Sequence, residues 1–142
     1  MLLGLGRRGE YAVRLALELA RRWPGGRAKA RDLAETTATP RPYAAHVLAD
    51  LVRAGLVIST AGRAGGYELA RPPEEISVLA VVESVGAGAW SGQCVLTGAP
   101  CTPDTPCAVH GSWRDARDAF TERLASADLA TLLSHERPEV PS

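Results

Sequence analysis

Three cysteines and one histidine lie close together in the last third of the sequence. Cys94, Cys101 and Cys107 are separated by gaps of six and five residues, and His110 follows the third cysteine after two more. Thiolates are soft ligands that suit zinc, copper(I) and iron–sulfur clusters. An odd number of cysteines confined to one segment does not fit the disulfide framework of a secreted protein. We therefore expect metal or redox chemistry in a reducing, cytoplasmic compartment.

The spacing of these residues favours a large group over a single ion. Zinc sites typically use two cysteines with two residues between them, which wrap one ion closely. The wider gaps here lie in a loop that contains Pro100, Pro103 and Pro106, and proline reduces the entropy lost when a loop closes. An iron–sulfur cluster with four ligands would need one more than the cysteines supply. His110 is the nearest candidate, because histidine replaces cysteine in some clusters.

Other interpretations of this cluster of residues stay open. The three cysteines and His110 are also a reasonable ligand set for structural zinc. Alternatively, two of the cysteines could pair on oxidation and act as a metal-free thiol switch. His110 itself could be an ordinary surface residue ahead of the next helix.

The chain before the cysteines predicts a helix-turn-helix. Apolar residues recur at helical spacing from Glu10 to Trp23, and a shorter helix is expected from Ala30 to Thr36. Thr39 is a suitable N-cap for a third helix that Gly55 ends. Four residues then separate the second and third helices, which is the spacing of a helix-turn-helix.

A β-hairpin is predicted directly after the third helix. The strand-like segments 56–60 and 67–70 flank a glycine-rich turn that contains Arg63. A hairpin in this position is a wing, the element that gives winged-helix proteins their name. We therefore predict a mainly α fold with a small β-hairpin wing, that is, a winged helix-turn-helix followed by a long C-terminal dimerisation helix.

The C-terminal part of the sequence predicts three more helices. A short one is expected from Val78 to Val85, and another from Asp128 to Leu133. Between them, Ser112 resembles the start of a capping box. The helix that follows presents a narrow apolar seam suited to one partner helix, such as that of a dimer mate; its members are Trp113, Ala116, Phe120 and Leu124.

These elements divide the chain into four parts. We expect a winged helix-turn-helix DNA-binding domain at 1–86, a cysteine-containing cluster-binding loop at 87–111, the dimerisation and terminal helices at 112–134, and a loose tail at 135–142.

The charge of the chain is strongly uneven. Residues 1–71 carry twelve arginines and lysines against six acidic residues, whereas residues 72–142 carry four against ten. A basic half suggests a polyanionic partner, which in a winged-helix protein is double-stranded DNA. The side chains expected to reach DNA are those near the start of the third helix, on the wing and at the N-terminus: Arg41, Tyr43, His46, Arg63, Arg7 and Arg8.

Several classes of protein are disfavoured by the same sequence. We find no nucleophile–base pair and no C-x-x-C redox motif, so an enzyme is not expected. No segment approaches the roughly 20 apolar residues of a membrane helix. The basic residues Arg7 and Arg8 follow the apolar start of the chain, which is the wrong order for a secretory signal. We expect a cytoplasmic protein.

The order of these motifs resembles one known family. The segments GEYAVRLALELA and GLVISTAGRAGGYEL, the helix-turn-helix and the three-cysteine loop are similar to those of the bacterial iron–sulfur-cluster winged-helix regulators, the family of IscR and NsrR. The resemblance covers roughly residues 5–133. It implies a homodimeric transcriptional regulator that acts as a repressor. DNA binding would change when the cluster senses redox state, nitric oxide or cluster supply.

The resemblance also bears on the ligands of the cluster. Some relatives use a histidine three residues after the third cysteine, which matches His110, whereas others take a carboxylate from the partner's first helix, which matches Glu10. Both [2Fe–2S] and [4Fe–4S] clusters are compatible with this set. The chain departs from its relatives twice: the first cysteine gap is one residue longer, and Ala61 occupies a position that is often basic. Arg63 could supply the missing wing contact.

Overall fold

The computed structural model describes residues 6–86 and 107–136 of the 142-residue chain. A short 3₁₀ turn, Pro73–Glu75, follows the second strand. The other elements of the described residues are six helices and two strands: α1 (Gly6–Arg21), α2 (Ala30–Thr36), α3 (Arg41–Arg53), β1 (Val57–Thr60), β2 (Gly66–Leu69), α4 (Val78–Ser84), α5 (His110–Ser126) and α6 (Leu129–Ser134). The predicted fold class, mainly α with a β-hairpin wing, is confirmed.

Helix α1 is the centre of the hydrophobic core. Its inner face includes Leu15 and Leu19, which are fully buried and belong to the same cluster as Val47, Leu48 and Leu51 of α3. Complete burial of a side chain of this size stabilises the fold by about 1.5–3 kcal/mol. The core therefore fixes α3 firmly against α1.

Helix α1 begins four residues earlier than its apolar pattern predicts. Its first turn consists of Gly6 and residues 7–9, which offer no apolar spacing to detect. Arg7 and Arg8 therefore lie within the helix. Glu10 lies beyond the first turn, so it is not a first-turn carboxylate.

The turn between α2 and α3 has a specific backbone conformation. Ala38 adopts a left-handed φ of +53°, which is strained for a residue with a side chain. The prediction that Thr39 caps α3 is wrong, because Pro40 occupies the N-cap position. The hydroxyl of Thr39 lies 2.8 Å from that of Thr37, which in turn donates to the carbonyl of Leu33 at 2.7 Å. The threonines thus stabilise the turn rather than the start of α3.

The wing is a two-stranded antiparallel hairpin with extra support at one position. Val57 pairs with Leu69 and Thr60 with Gly66. On the other edge of β2, Ala28 and Tyr67 exchange backbone hydrogen bonds of 3.0 and 2.8 Å. Gly66 permits this approach, since a Cβ at that residue would lie 2.6 Å from the carbonyl oxygen of Ala28. The hairpin is consequently attached to the segment just before α2.

The starts of α4 and α6 are joined to each other. Ser77 and Asp128, the N-caps of the two helices, form an isolated antiparallel bridge. The bridge includes a 3.0 Å hydrogen bond from the N–H of Leu129 to the carbonyl of Ile76. Leu129 is fully buried in the main core. The two helices therefore begin side by side.

The end of α6 is tied to the end of α1 by charge. Arg21 forms an ion pair with Glu136 and a second one, at 2.8 Å, with the buried Glu18. The hydrogen bond to Glu136 raises the pKa of Arg21 above its usual value, which outweighs the lowering effect of burial. Arg21 therefore keeps its positive charge in these ion pairs.

Helix α5 differs from the other helices in burial. It has 17 residues and none of them is buried. It begins at His110 and lacks a side-chain cap, so the prediction of a start at Ser112 is wrong. Its main contacts within the described residues are with α4. Phe120, on the predicted apolar seam, is 40% exposed.

Candidate nucleic-acid interface and cysteine site

The basic residues of the winged-helix part fall into two groups. One group is held in ion pairs that stabilise the fold. Arg8 of α1 and Arg53 of α3 each lie 2.6 Å from the carboxylate of Asp50, which is only 8% exposed. This bridge fastens the N-terminal turn of α1 to α3. Arg8, a predicted phosphate contact, is therefore already engaged by a carboxylate, although its side chain is 54% exposed.

The second group of basic residues is exposed and makes no ion pair within residues 6–86 and 107–136. Its members include Arg7 on α1, Arg41 at the first position of α3, and Arg63 in the wing turn. An exposed guanidinium without a carboxylate partner can neutralise a phosphate without first breaking an ion pair. All three were predicted from the sequence to contact DNA, and that contact stays a prediction.

The start of α3 presents polar side chains to solvent on one face. Arg41 and His46 are exposed, whereas Ala44 and Val47 are buried on the opposite face. Tyr43 is 44% exposed, and its ring lies 5.5 Å from that of Tyr11 on α1 at an angle of 51°. This tilted pairing is a favourable aromatic geometry. It limits where the Tyr43 hydroxyl can point, because α1 supports the ring from one side.

The wing turn has a contact that the sequence does not reveal. The ammonium group of Lys29 donates a 2.7 Å hydrogen bond to the carbonyl of Gly62, next to Arg63. The two residues are 33 positions apart. Lys29 is the only lysine of the chain, but no local signal in the sequence indicates which carbonyl it would reach.

The cysteine site is described in part. Cys94 and Cys101 lie outside the described residues. Cys107 and His110 lie at the start of α5, where the N–H of His110 donates to the carbonyl of Cys107 at 3.1 Å. Both residues are half-buried. A thiol and an imidazole therefore occur together on one turn of backbone that is partly accessible from solvent.

Glu10, the other candidate ligand, lies on the surface of α1. It is exposed and forms an i,i+4 ion pair with Arg14, with a distance of 2.5 Å between Nη2 and Oε1. A carboxylate in this position is accessible to a second chain. To ligate iron it would have to exchange its arginine partner for the metal.

A helix-turn-helix followed by a hairpin defines a winged-helix protein. Both elements carry exposed arginines that form no ion pair with the described residues, as is typical of a DNA-binding regulator. The chain belongs to the Rrf2 family: the family profile, described as iron-dependent transcriptional regulator, matches residues 5–135. Proteins of this kind are not enzymes, and this chain is a transcriptional regulator.

Individual relatives agree with this assignment. The HTH-type transcriptional regulator IscR of Aliivibrio salmonicida is 30% identical over 126 residues, which are 89% of this chain and 74% of the relative. The structure of CymR, the global cysteine regulator of B. subtilis, matches with a TM-score of 0.78 and 26% identity, covering 96% of this chain and 100% of CymR. The IscR structure from T. potens matches with a TM-score of 0.77 and 25% identity, covering 96% and 94%.

The sequence also predicted that the chain has no membrane-spanning helix. Within residues 6–86 and 107–136, no helix is both long enough and apolar enough to cross a membrane.

Proposed function

We propose that the protein is a homodimeric transcriptional repressor whose affinity for its operator is controlled by an iron–sulfur cluster. In this proposal Cys94, Cys101, Cys107 and His110 hold the cluster, residues 1–86 bind DNA, and the helix after the cysteine loop forms the dimer. The observation that carries the proposal is the backbone turn, closed by the His110 N–H and the Cys107 carbonyl, that places both residues at the start of α5 in a chain of an iron-dependent regulator family.

The residues at the start of α5 fit such a cofactor chemically. A thiolate and an imidazole are both accepted ligands of iron–sulfur clusters. Cys107 and His110 are half-buried, which shields a metal site in part and leaves it open to small molecules. When bound, the cluster supplies a centre that changes charge or composition in response to oxidants, nitric oxide or iron supply. The residues of the chain bind it and respond to its presence.

Helix contacts offer a route from the cysteine site to the DNA-binding surface. Cys107 and His110 lie at the start of α5, α5 packs on α4, and α4 packs on both α1 and α3. A change in the position of the first turn of α5 would be passed through packed helices to the recognition helix α3. This is a shift between two populations of dimers, one that fits DNA and one that does not.

Dimer formation through α5 is supported by its exposure. A helix of 17 residues with no buried side chain gains little from the protomer core. The seam residues Trp113, Ala116, Phe120 and Leu124 follow at intervals of three and four, the spacing that lets two helices pack along a line. Regulators of this shape commonly bind two half-sites with a two-fold dimer.

The first experiment is an absorption spectrum of protein purified without oxygen, with iron, sulfide and zinc measured on the same sample. A brown protein with matched iron and sulfide is the expected result, and the band shape distinguishes [2Fe–2S] from [4Fe–4S]. A colourless protein with stoichiometric zinc would contradict the proposed cluster and indicate a structural zinc site instead.

The fourth ligand is tested with matched variants. His110→Ala is expected to lower the iron content or shift the visible bands, whereas His135→Ala, which changes an exposed histidine after α6, should change neither. Glu10→Ala is the discriminating third variant. If Glu10→Ala alters the spectrum and His110→Ala does not, the partner carboxylate is the ligand and the role of His110 is withdrawn.

The DNA surface is tested by salt dependence. An operator is first selected from a pool of random duplexes with the dimer in each cluster state. Arg63→Ala and Arg41→Ala are each expected to reduce the slope of log affinity against log salt by about one unit if they contact phosphate. Arg123→Ala removes the same charge from α5 and is the control. An unchanged slope for Arg63→Ala would argue against a phosphate contact on the wing.

A thiol switch is the second candidate, favoured by the likeness to a structure of the oxidized form of Staphylococcus aureus CymR. In this case two cysteines lose two hydrogens when they form a disulfide, and an oxidant accepts the two electrons. The intact mass of the protein would fall by two hydrogens on oxidation, and DNA binding would change in protein that contains no iron. Reversal by a dithiol reductant would complete the assignment.

A further inference from the structure

A charged side chain at the start of α2 contacts the tip of the wing turn. Lys29 is the N-cap residue of α2, in extended conformation with φ −73° and ψ 150°. Its ammonium group reaches across to the carbonyl of Gly62 at 2.7 Å. Arg63, the exposed arginine of the turn, is the next residue. The lysine therefore contacts the backbone beside the side chain expected to meet DNA.

This contact is one of three that hold the wing to the same segment, since Arg27 also forms an ion pair with Glu68 of β2 at 3.5 Å. At the base of the turn, the backbone of Ala28 exchanges two hydrogen bonds with Tyr67. At its tip, Lys29 binds Gly62. Three consecutive residues thus hold the hairpin, Ala28 through the main chain and Arg27 and Lys29 through their side chains.

The carbonyl of Gly62 is fully used by these interactions. It accepts a 3.1 Å hydrogen bond from the N–H of Gly65, which closes the turn, and the 2.7 Å bond from Lys29. A carbonyl oxygen has two lone pairs, and a hydrogen bond from an ammonium group is stronger than a neutral one. Residues 61–64 are all exposed, so no apolar burial contributes to fixing the tip.

We infer that Lys29 is a positioning residue for the DNA-binding wing: it holds the turn so that Arg63 is presented at a fixed distance from α2. The inference rests on the assignment of the wing as part of the DNA surface. Lys29 acts through Arg63 and need not touch DNA. The alternative is that Lys29 leaves Gly62 and contacts a phosphate directly, and the two cases differ in how their effects combine with Arg63.

A double-mutant cycle separates these cases. Binding to a short duplex of mixed sequence is measured at several salt concentrations for the wild type, Lys29→Met, Arg63→Ala and the double variant. Lys29→Met alone is expected to weaken DNA binding about fivefold. In the Arg63→Ala background the same substitution should weaken binding less than about twofold, because the effects of a residue that acts through another are strongly non-additive. Lys29→Arg, which keeps a charged donor, should recover most of the affinity.

The opposite results overturn the inference. If the two losses multiply and the salt slope of the double variant falls by about two units, Lys29 contacts DNA independently. If Lys29→Met binds as the wild type does, the hydrogen bond has no role in binding. Circular dichroism and the unfolding midpoint confirm that each variant is folded.

A measurement without DNA keeps the inference separate from the proposed function. Backbone hydrogen exchange in the turn, residues 62–65, should accelerate in Lys29→Met at the N–H of Gly65, which donates to Gly62, while exchange in α1 stays unchanged. If the wild type bound no DNA at all, the proposal that the wing binds DNA would be wrong. Hydrogen exchange would still show whether Lys29 holds the turn. Unchanged exchange at these residues would refute the positioning role by itself.

Discussion

Helices α3 and α5 have opposite relations to the rest of the protomer. The thirteen residues of α3 include five that are buried, among them Leu48 and Leu51. The seventeen residues of α5 include none. Helix α3 is supported by α1 and by the Asp50 ion pairs, so its exposed face is presented rigidly. Helix α5 has no buried residue, and we propose that its seam packs against a second copy of the chain.

The difference in burial between α3 and α5 suits two different tasks, recognition of DNA and response to a signal. A recognition helix must hold its side chains in a fixed geometry, and burial of its other face achieves that. A helix that responds to a signal must be able to move, and movement is easier where few contacts of the protomer have to break. Substitutions in the core, the wing and α5 test this difference in burial between α3 and α5.

The largest effect is expected in the core beneath α3. Leu48 is fully buried, and Leu48→Ala should reduce the free energy of unfolding by about 2–5 kcal/mol, through lost burial and the cavity left behind. Urea unfolding followed by circular dichroism measures it. Ile58→Ala, at a residue that is 46% exposed on β1, is the control and should lose less than about 1 kcal/mol. Similar losses at both positions would remove the contrast.

Glycine substitutions should have opposite signs in the wing and in α5. Gly66→Ala would place a Cβ 2.6 Å from the carbonyl oxygen of Ala28 at a φ of +148°, which should destabilise the protein by about 1–3 kcal/mol. Gly111→Ala meets no atom within 4 Å and should stabilise α5 by about 0.5–1 kcal/mol. Thermal unfolding of both variants provides the test. A destabilised Gly111→Ala would mean that α5 is packed more closely than the protomer indicates.

The seam of α5 should control association rather than folding of the protomer. Phe120→Ser is expected to raise the dimer dissociation constant at least about tenfold, because aromatic residues dominate interface energies. Sedimentation equilibrium measures the constant, and Glu122→Gln on the same helix is the control. Equal association of Phe120→Ser and the wild type would assign the dimer contact to a different surface.

The smallest effect is expected in the turn before α3. Ala38→Gly removes the strain of a left-handed alanine and adds the entropy loss of glycine, so the net gain should be only about 0.5 kcal/mol. Ala45→Gly, in the exposed face of α3, should instead lose about 1 kcal/mol. Both are read from denaturant midpoints. A loss at Ala38→Gly would show that the methyl group contributes more than the strain removes.

Local patterns were sufficient to predict most of the fold. The bounds of α2, Ala30–Thr36, and the four-residue turn after it agree with the structure, because helical periodicity and stop residues act over a few positions. The start of α1 was missed because its first turn carries no apolar spacing. The Thr39 cap and the Ser112 start were wrong because a suitable capping residue need not be used when backbone geometry places the helix start elsewhere.

The sequence predicted which residue types occur in the candidate site, but it did not predict most of the contacts that these residues make. The sequence identified Arg41 and Arg63 as exposed candidates, and Cys107 with His110 as neighbours. It could not show that Arg8 is held by Asp50, 42 residues away, or that Lys29 reaches Gly62. Contacts between distant parts of the chain depend on how the helices pack, and no local pattern encodes the result.

The joint between Ser77 and Asp128 has a consequence for the order in which the protein is made. Leu129 docks into the core around α1, yet it leaves the ribosome only after α4, all three cysteines and α5. A nascent or prematurely ended chain that stops before α6 therefore lacks part of the core that supports the recognition helix. We therefore expect a chain that ends before α6 to be less stable than the full chain, because Leu129 is missing from its core.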